Sequence, residues 1–93
     1  MIKSFRDKEL ERFWQTGKSK KIESYLSRRI LRKLDSMDAA ACIEDLRNPP
    51  SNNLHQLHGK YKGFWAVSVN GPWRLVFKLQ GNDIYEVMYL QYH

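Results

Sequence analysis

Several features that define common kinds of functional site are scarce or missing in this chain of 93 residues. Its one cysteine, Cys42, excludes an internal disulfide framework and a zinc site built on cysteine pairs. Glycine-rich phosphate loops and the GxGxxG, HExxH and CxxC motifs are absent, so no cofactor is expected. No apolar run approaches the roughly 20 residues of a membrane span, and no signal peptide is recognised. We therefore expect a cytoplasmic protein with no membrane partner.

Acidic residues are also few, since 10 Asp and Glu stand against 16 Lys and Arg, for a net charge of +6. A charge of this size on a small chain favours an anionic partner such as nucleic acid, an anionic surface or an acidic protein. The length suffices for one compact core, so residues 1–93 are expected to form a single domain.

The first half of the chain has the hydrophobic period of helices. Asp7 predicts an N-cap and Gly17 the end of a first helix. A second helix is predicted by an apolar stripe with a period close to 3.6, formed by Ile22, Leu26, Ile30, Leu34 and Met37. Residues 39–46 can form a further short helix, and residues 2–5 a short edge strand.

From Gly63 onward the pattern is the alternation of strands. Asn70 and Gly71 are predicted to be the two central residues of a hairpin turn, both with positive φ, and residues 80–83 form a second turn. A third strand covers 84–92. Helices followed by such strands predict an α+β fold, with the N-terminal helices packed on one face of a small antiparallel sheet.

Basic side chains of the first half form two groups. Lys18, Lys20 and Lys21 cluster between the predicted helices, and Tyr25, Arg28, Arg29 and Arg32 share one face of the second helix. Such a stripe is more typical of a solvated surface than of a binding site. The alternative is that both groups supply affinity for RNA or for a protein partner.

The candidates for proton transfer are His55, His58 and His93. The HxxH spacing of the first two, with His93 as a third ligand, is a weak metal pattern, and a final histidine is commonly a solvated one. These histidines, with Arg74 and Tyr92, also suit a reaction that needs no metal. RNA cleavage by its own 2′-hydroxyl needs a base, an acid and a cation, which two imidazoles and Arg74 can supply, while Tyr92 can stack a base.

The ordered set of these residues resembles HigB-type toxins of the RelE/ParE superfamily over essentially the whole chain. The matching stretches are Met1 to Phe5, Leu54 to Gly59 (LHQLHG), Gly63 to Val69 (GFWAVSV), Asn70 to Phe77 with its Trp-Arg pair, and the final Tyr92-His93. The combination of Leu-His, Trp-Arg and Tyr-His is far more specific than any one of them.

The resemblance implies an endoribonuclease that cleaves mRNA in the ribosomal A site and is neutralised by a HigA-like helix-turn-helix antitoxin. DNA would be contacted only through that antitoxin. His55 matches the internal active-site histidine of the family, Tyr92 and His93 its C-terminal pair, and Arg74 its strand arginine. The remaining candidates for RNA or phosphate binding are His58, Lys60, Lys20, Lys21, Arg28 and Arg32.

Gln91 departs from the pattern, because relatives commonly have Asp before the final Tyr-His. A neutral amide can orient an imidazole but cannot stabilise imidazolium, so Gln91 is a possible orienting residue. Two alternatives stay open: a catalytically weakened RNA- or antitoxin-binding relative, and a ParE-like gyrase poison. For the nuclease, we expect His55, Arg74 and His93 to converge on one face of the sheet.

Overall fold

The computed structural model describes residues 1–92, and it consists of two α-helices packed on a four-stranded antiparallel sheet. The helices are α1 (Lys8–Thr16) and α2 (Ser24–Ala39), with 3₁₀-helices at Ile43–Arg47, Pro50–Asn52 and Gly59–Tyr61. The strands are β1 (His55–Gln56), β2 (Phe64–Asn70), β3 (Trp73–Gln80) and β4 (Asp83–Gln91), arranged in the order β1-β2-β3-β4. The predicted α+β architecture is confirmed.

Helix α1 begins and ends at the predicted residues. The Asp7 carboxylate accepts a hydrogen bond from the Leu10 backbone N–H at 3.1 Å, which satisfies one of the free donors of the first turn. Gly17 takes a left-handed conformation with φ of 76°, and its N–H is bonded to the Phe13 carbonyl.

Helix α2 carries the predicted apolar stripe, although Ile22 is buried just before the helix begins. The short helix predicted over residues 39–46 forms only in part: α2 ends at Ala39, and a 3₁₀-helix begins at Ile43 and ends at Arg47. The Asp45 carboxylate accepts from the Ala41 N–H at 2.8 Å. Such a side-chain bond to the backbone competes with helical hydrogen bonding and stabilises a turn instead.

The two faces of the sheet bury different groups of residues. The face toward the helices holds the main core, in which Val67, Leu75 and Phe77 pack against the α2 stripe. On the opposite face, called here the outer face, a smaller cluster of Leu57, Phe64, Ala66, Val76 and Met88 is also buried. The loop containing Gly59–Tyr61 packs against this cluster through Tyr61, so the outer face is only partly open.

The first hairpin forms, but the predicted residues at its centre are wrong by one position. Asn70 pairs with Trp73, so Gly71 and Pro72 are the two central residues. Only Gly71 has positive φ, at 53°. The proline ring holds φ near −65°, so the turn has the pattern with glycine first rather than two left-handed residues.

The N-terminal segment lies beside β4. The edge strand expected over residues 2–5 consists of two isolated parallel bridges, Ile2 to Ile84 and Phe5 to Val87. Nearby, Glu86 has a positive φ of 56° at an irregularity of the β3–β4 pairing, and it forms salt bridges with Arg6 and Lys78. The hydrogen bond from Arg6 lowers the pKa of Glu86. No helix within residues 1–92 is long and apolar enough to cross a membrane.

Candidate active site

The register of the sheet places His55 and Arg74 on the same outer face. His55 pairs with Ala66 of β2, which pairs with Val76 of β3. Because directly opposed residues share a face and alternate residues along a strand do too, Arg74 lies on that face two residues from Val76. Two strand spacings and two residue rises separate the Cα atoms of His55 and Arg74 by about 12 Å.

The imidazole of His55 is held in one tautomer by the loop that precedes it. Its Nδ1 lies 2.6 Å from the carbonyl oxygen of Asn53, and a carbonyl can only accept, so Nδ1 carries the proton. Asn53 has a left-handed φ of 46°, a conformation that asparagine tolerates better than most residues. In the neutral ring Nε2 therefore has a free lone pair and can act as a base.

Asn52 holds this loop in place through hydrogen bonds of its buried side chain. It is 4% exposed and is the one buried polar residue among residues 1–92. Its side-chain amide donates to the carbonyls of Leu46 and Asn48 at 3.1 and 3.3 Å, and its oxygen accepts from the Lys33 ammonium. The loop is thus tied to α2 and to the 3₁₀-helix before it, which gives His55 a rigid support.

Arg74 is half-buried, and its hydrogen bonds go to neutral acceptors. One guanidinium nitrogen donates to the carbonyls of Gly71 and Trp73, which draws the side chain along the hairpin turn. Within residues 1–92 no carboxylate forms a salt bridge with it. A guanidinium has five N–H donors, so Arg74 keeps several for an anion, together with its full charge.

Tyr92, His58 and Lys60 come together at the side of the outer face. The Tyr92 hydroxyl is 3.5 Å from the His58 carbonyl oxygen, and its ring centroid is 6.0 Å from that of Tyr61. The Lys60 ammonium lies 5.2 Å from the centre of the Tyr61 ring. The structure therefore groups an aromatic pair with exposed His58 and Lys60 next to the strand that carries Arg74.

The other predicted site residues are not brought to this face. Lys20 and Lys21 line a groove with Glu9 and Arg12 of the helical layer. Arg28 and Arg32 are exposed on α2, also in that layer.

Gln91 pairs with Trp73, which packs against the helix-facing core, so the register places it on the face opposite His55. His93 lies outside the described residues. The register shows that His55 and Arg74 share one sheet face, and the convergence of the three residues stays a prediction. Within residues 1–92, no three His, Cys, Asp or Glu side chains are grouped to bind a metal ion.

The sequence analysis did not identify the residues that support His55. The two asparagines before His55 look like ordinary loop residues, and β1 is too short for any alternation to show. A signal was present in the run of Asn and Pro over residues 48–53, which is typical of tight turns and left-handed residues.

The chain is thus a small basic protein whose helices cover one face of an antiparallel sheet. His55, Arg74 and Tyr92 form a polar site on the other face. The family model of the RelE-like toxin of type II toxin-antitoxin system HigB matches residues 3–93. The chain belongs to this family of HigB-like toxins.

Two relatives agree with this assignment, and a solved structure has a similar fold. The chain is 39% identical over 79 residues to Toxin HigB-1 of Vibrio cholerae, covering 84% of this chain and 83% of that one. It is 33% identical to Endoribonuclease HigB of Proteus vulgaris over the full length of both chains. Its fold is similar to the crystal structure of a YafQ mutant from E. coli, with a TM-score of 0.59, 17% identity, and coverage of 98% and 91%.

Proposed function

We propose that this chain is a metal-independent endoribonuclease that cleaves mRNA by attack of a 2′-hydroxyl on the adjacent phosphate. The observation that carries the proposal is the placement of His55, whose Nδ1 carries the proton, on the same sheet face as Arg74, with which no carboxylate of residues 1–92 forms a salt bridge. The full-length similarity to a relative named Endoribonuclease HigB supports the activity.

The chemistry assigns a separate role to each group. A base takes the proton of the 2′-hydroxyl as its oxygen bonds to phosphorus, and an acid gives a proton to the departing 5′-oxygen. The products are a 2′,3′-cyclic phosphate and a free 5′-hydroxyl. His55 and His93 are proposed as this pair, in either order, and Arg74 as the donor that stabilises the charge of the pentacoordinate phosphorus.

The grouping beside Arg74 suits the nucleotides on either side of the cleavage site. Tyr92 is proposed to stack a base against an aromatic surface that already includes Tyr61. His58 and Lys60 are exposed at the same place and are proposed to contact phosphates. Backbone contacts of this kind hold the RNA in position without reading its sequence.

The biological setting proposed is translation. The mRNA is cleaved on the ribosome in the cytoplasm, and Lys20, Lys21, Arg28 and Arg32 add affinity for ribosomal RNA or for the antitoxin. The antitoxin partner is proposed to be a HigA-like helix-turn-helix protein, through which alone the toxin reaches DNA.

Mapping of new mRNA 5′ ends in a reconstituted translation reaction, with and without ribosomes, tests the proposal. His55→Ala and His93→Ala should each abolish cuts that the unaltered protein makes only with ribosomes. Gln56→Ala is the matched control, because Gln56 is the other residue of β1, is exposed and pairs with Trp65 on the opposite face. It should cut normally.

Cuts that persist in His55→Ala would refute the role of His55. An intact protein that binds ribosomes without cutting would instead indicate a weakened relative. Inhibition of gyrase supercoiling without RNA cleavage would indicate the ParE-like activity.

A further inference from the structure

A groove lies between α2 and the loop that supports His55, away from the outer face. Its volume is about 420 Å³, and it is lined by Arg29, Arg32, Lys33, Ser36, Pro49 and Asn52. Arg29 is three and four residues before Arg32 and Lys33, and Ser36 is four and three residues after them, so the four form one continuous wall of the groove. Three of them are cations and the fourth offers a hydroxyl.

Within residues 1–92 no carboxylate lines the groove, and none forms a salt bridge with these three cations. Arg29 donates to the Val69 carbonyl at 3.1 Å, and Lys33 donates to the Asn52 side chain, both of which are neutral acceptors. Burial, and to a smaller extent the charge of Arg29, lower the pKa of Lys33. The groove thus concentrates positive charge that an anion would stabilise.

The groove is also close to the proposed site of cleavage along the chain. Asn52 forms part of its wall and is three residues before His55, a separation of at most about 10 Å. Arg29 is bonded to Val69 at the edge of β2 that the two-residue strand β1 leaves uncovered. The groove therefore lies near the edge of the sheet that carries β1 and His55.

We propose that this groove binds phosphodiester groups of an RNA backbone. The proposal rests on the proposed nuclease function and adds a second contact for its RNA. Guanidinium groups match the oxygens of phosphate, and Ser36 supplies a further donor. An acidic protein segment is the less favoured occupant, because among residues 1–92 Pro49 is the only apolar residue in the lining, and it offers no pocket for an anchoring side chain.

Charge-removing variants test the groove. The double variant Arg32→Gln with Lys33→Gln should weaken binding of a 2′-O-methyl oligoribonucleotide, which cannot be cleaved, by about tenfold or more at moderate salt. The slope of log K against log salt should fall by about 0.7 for each phosphate that the variant no longer neutralises. Lys8→Gln is the control for a single charge, because Lys8 is exposed on α1 and outside the groove. Arg28→Gln, one turn earlier on α2, should have a smaller effect than Arg32→Gln.

Two arms distinguish the source of the phosphate. If only oligonucleotide binding is weakened, the groove binds the mRNA. If only cosedimentation with mRNA-free ribosomes is weakened, it binds ribosomal RNA. Either result supports the proposal. The binding free energy lost by the double variant is compared with twice the loss in Lys8→Gln, for the oligonucleotide and for ribosomes. If the double variant loses no more than that in both cases, the proposal is wrong. A loss of antitoxin binding alone also overturns it, in favour of a protein partner.

The groove and the nuclease function fail separately. The groove variants should raise the RNA concentration that gives half-maximal single-turnover cleavage, whereas His55→Ala should lose the cleavage rate at every RNA concentration. If His55→Ala cleaves normally while the groove variants bind RNA more weakly, the proposed role of His55 is wrong and the proposal for the groove still stands. Circular dichroism of each variant confirms that the fold is kept.

Discussion

Asn52 is expected to contribute more to folding than any other side chain of the loop before His55. Replacement by Ala removes two donated hydrogen bonds and the acceptor of Lys33, all at a residue that is 4% exposed. At about 1 kcal/mol for each neutral bond, and more for the charged one, Asn52→Ala should lower the free energy of unfolding by about 2–4 kcal/mol. The size of the chain converts this to a fall in Tm on the order of 10–30 °C.

Urea denaturation followed by tryptophan fluorescence measures this loss. Ser51→Ala is the matched control, since Ser51 is the exposed neighbour, and its effect should stay within about 0.5 kcal/mol. Asn52→Asp keeps an acceptor for Lys33 but lacks the two donors, so it should also be destabilised. A loss below about 1 kcal/mol in Asn52→Ala would show that the loop does not depend on these bonds.

Three further predictions concern the helix cap, the salt bridges at β4 and the proposed phosphate contact. Asp7→Ala should cost about 1 kcal/mol of stability in urea denaturation, because a helix N-cap is lost; an unchanged midpoint would contradict the cap. Arg6 and Lys78 stabilise the Glu86 carboxylate and lower its pKa, so their contribution is present above the unfolded pKa of about 4.3 and is lost as pH falls through the folded value. The stability difference between the unaltered protein and Glu86→Gln should therefore shrink below about pH 4, and a difference independent of pH would exclude the salt bridges as its source. Arg74→Lys keeps the charge but not the planar fork, so kcat/KM for RNA cleavage should fall by about tenfold to a hundredfold at unchanged Tm, and a normal rate would exclude bidentate contact with phosphate.

Features that depend on interactions between near neighbours could be predicted from the sequence. Asp7 and Gly17 define α1 because capping involves residues three or four positions away. The α2 stripe and the alternation of β2 and β3 are equally local, and they fix which side chains face the core. His55 and Arg74 stood out by residue type and by resemblance, without any knowledge of their separation.

Tertiary structure alone decided how those residues meet. Strand β1 has two residues, so its pairing with β2 comes from the loop that Asn52 anchors and not from any pattern of its own. The tautomer of His55 depends on the carbonyl of Asn53. Asparagine tolerates the left-handed conformation found there but does not require it, so the sequence could not predict this contact. The lining of the basic groove comes from α2 and from a loop about twenty residues further along the chain. Contacts over such separations form only when the packed core brings the segments together, which is why periodicity and composition could not predict them.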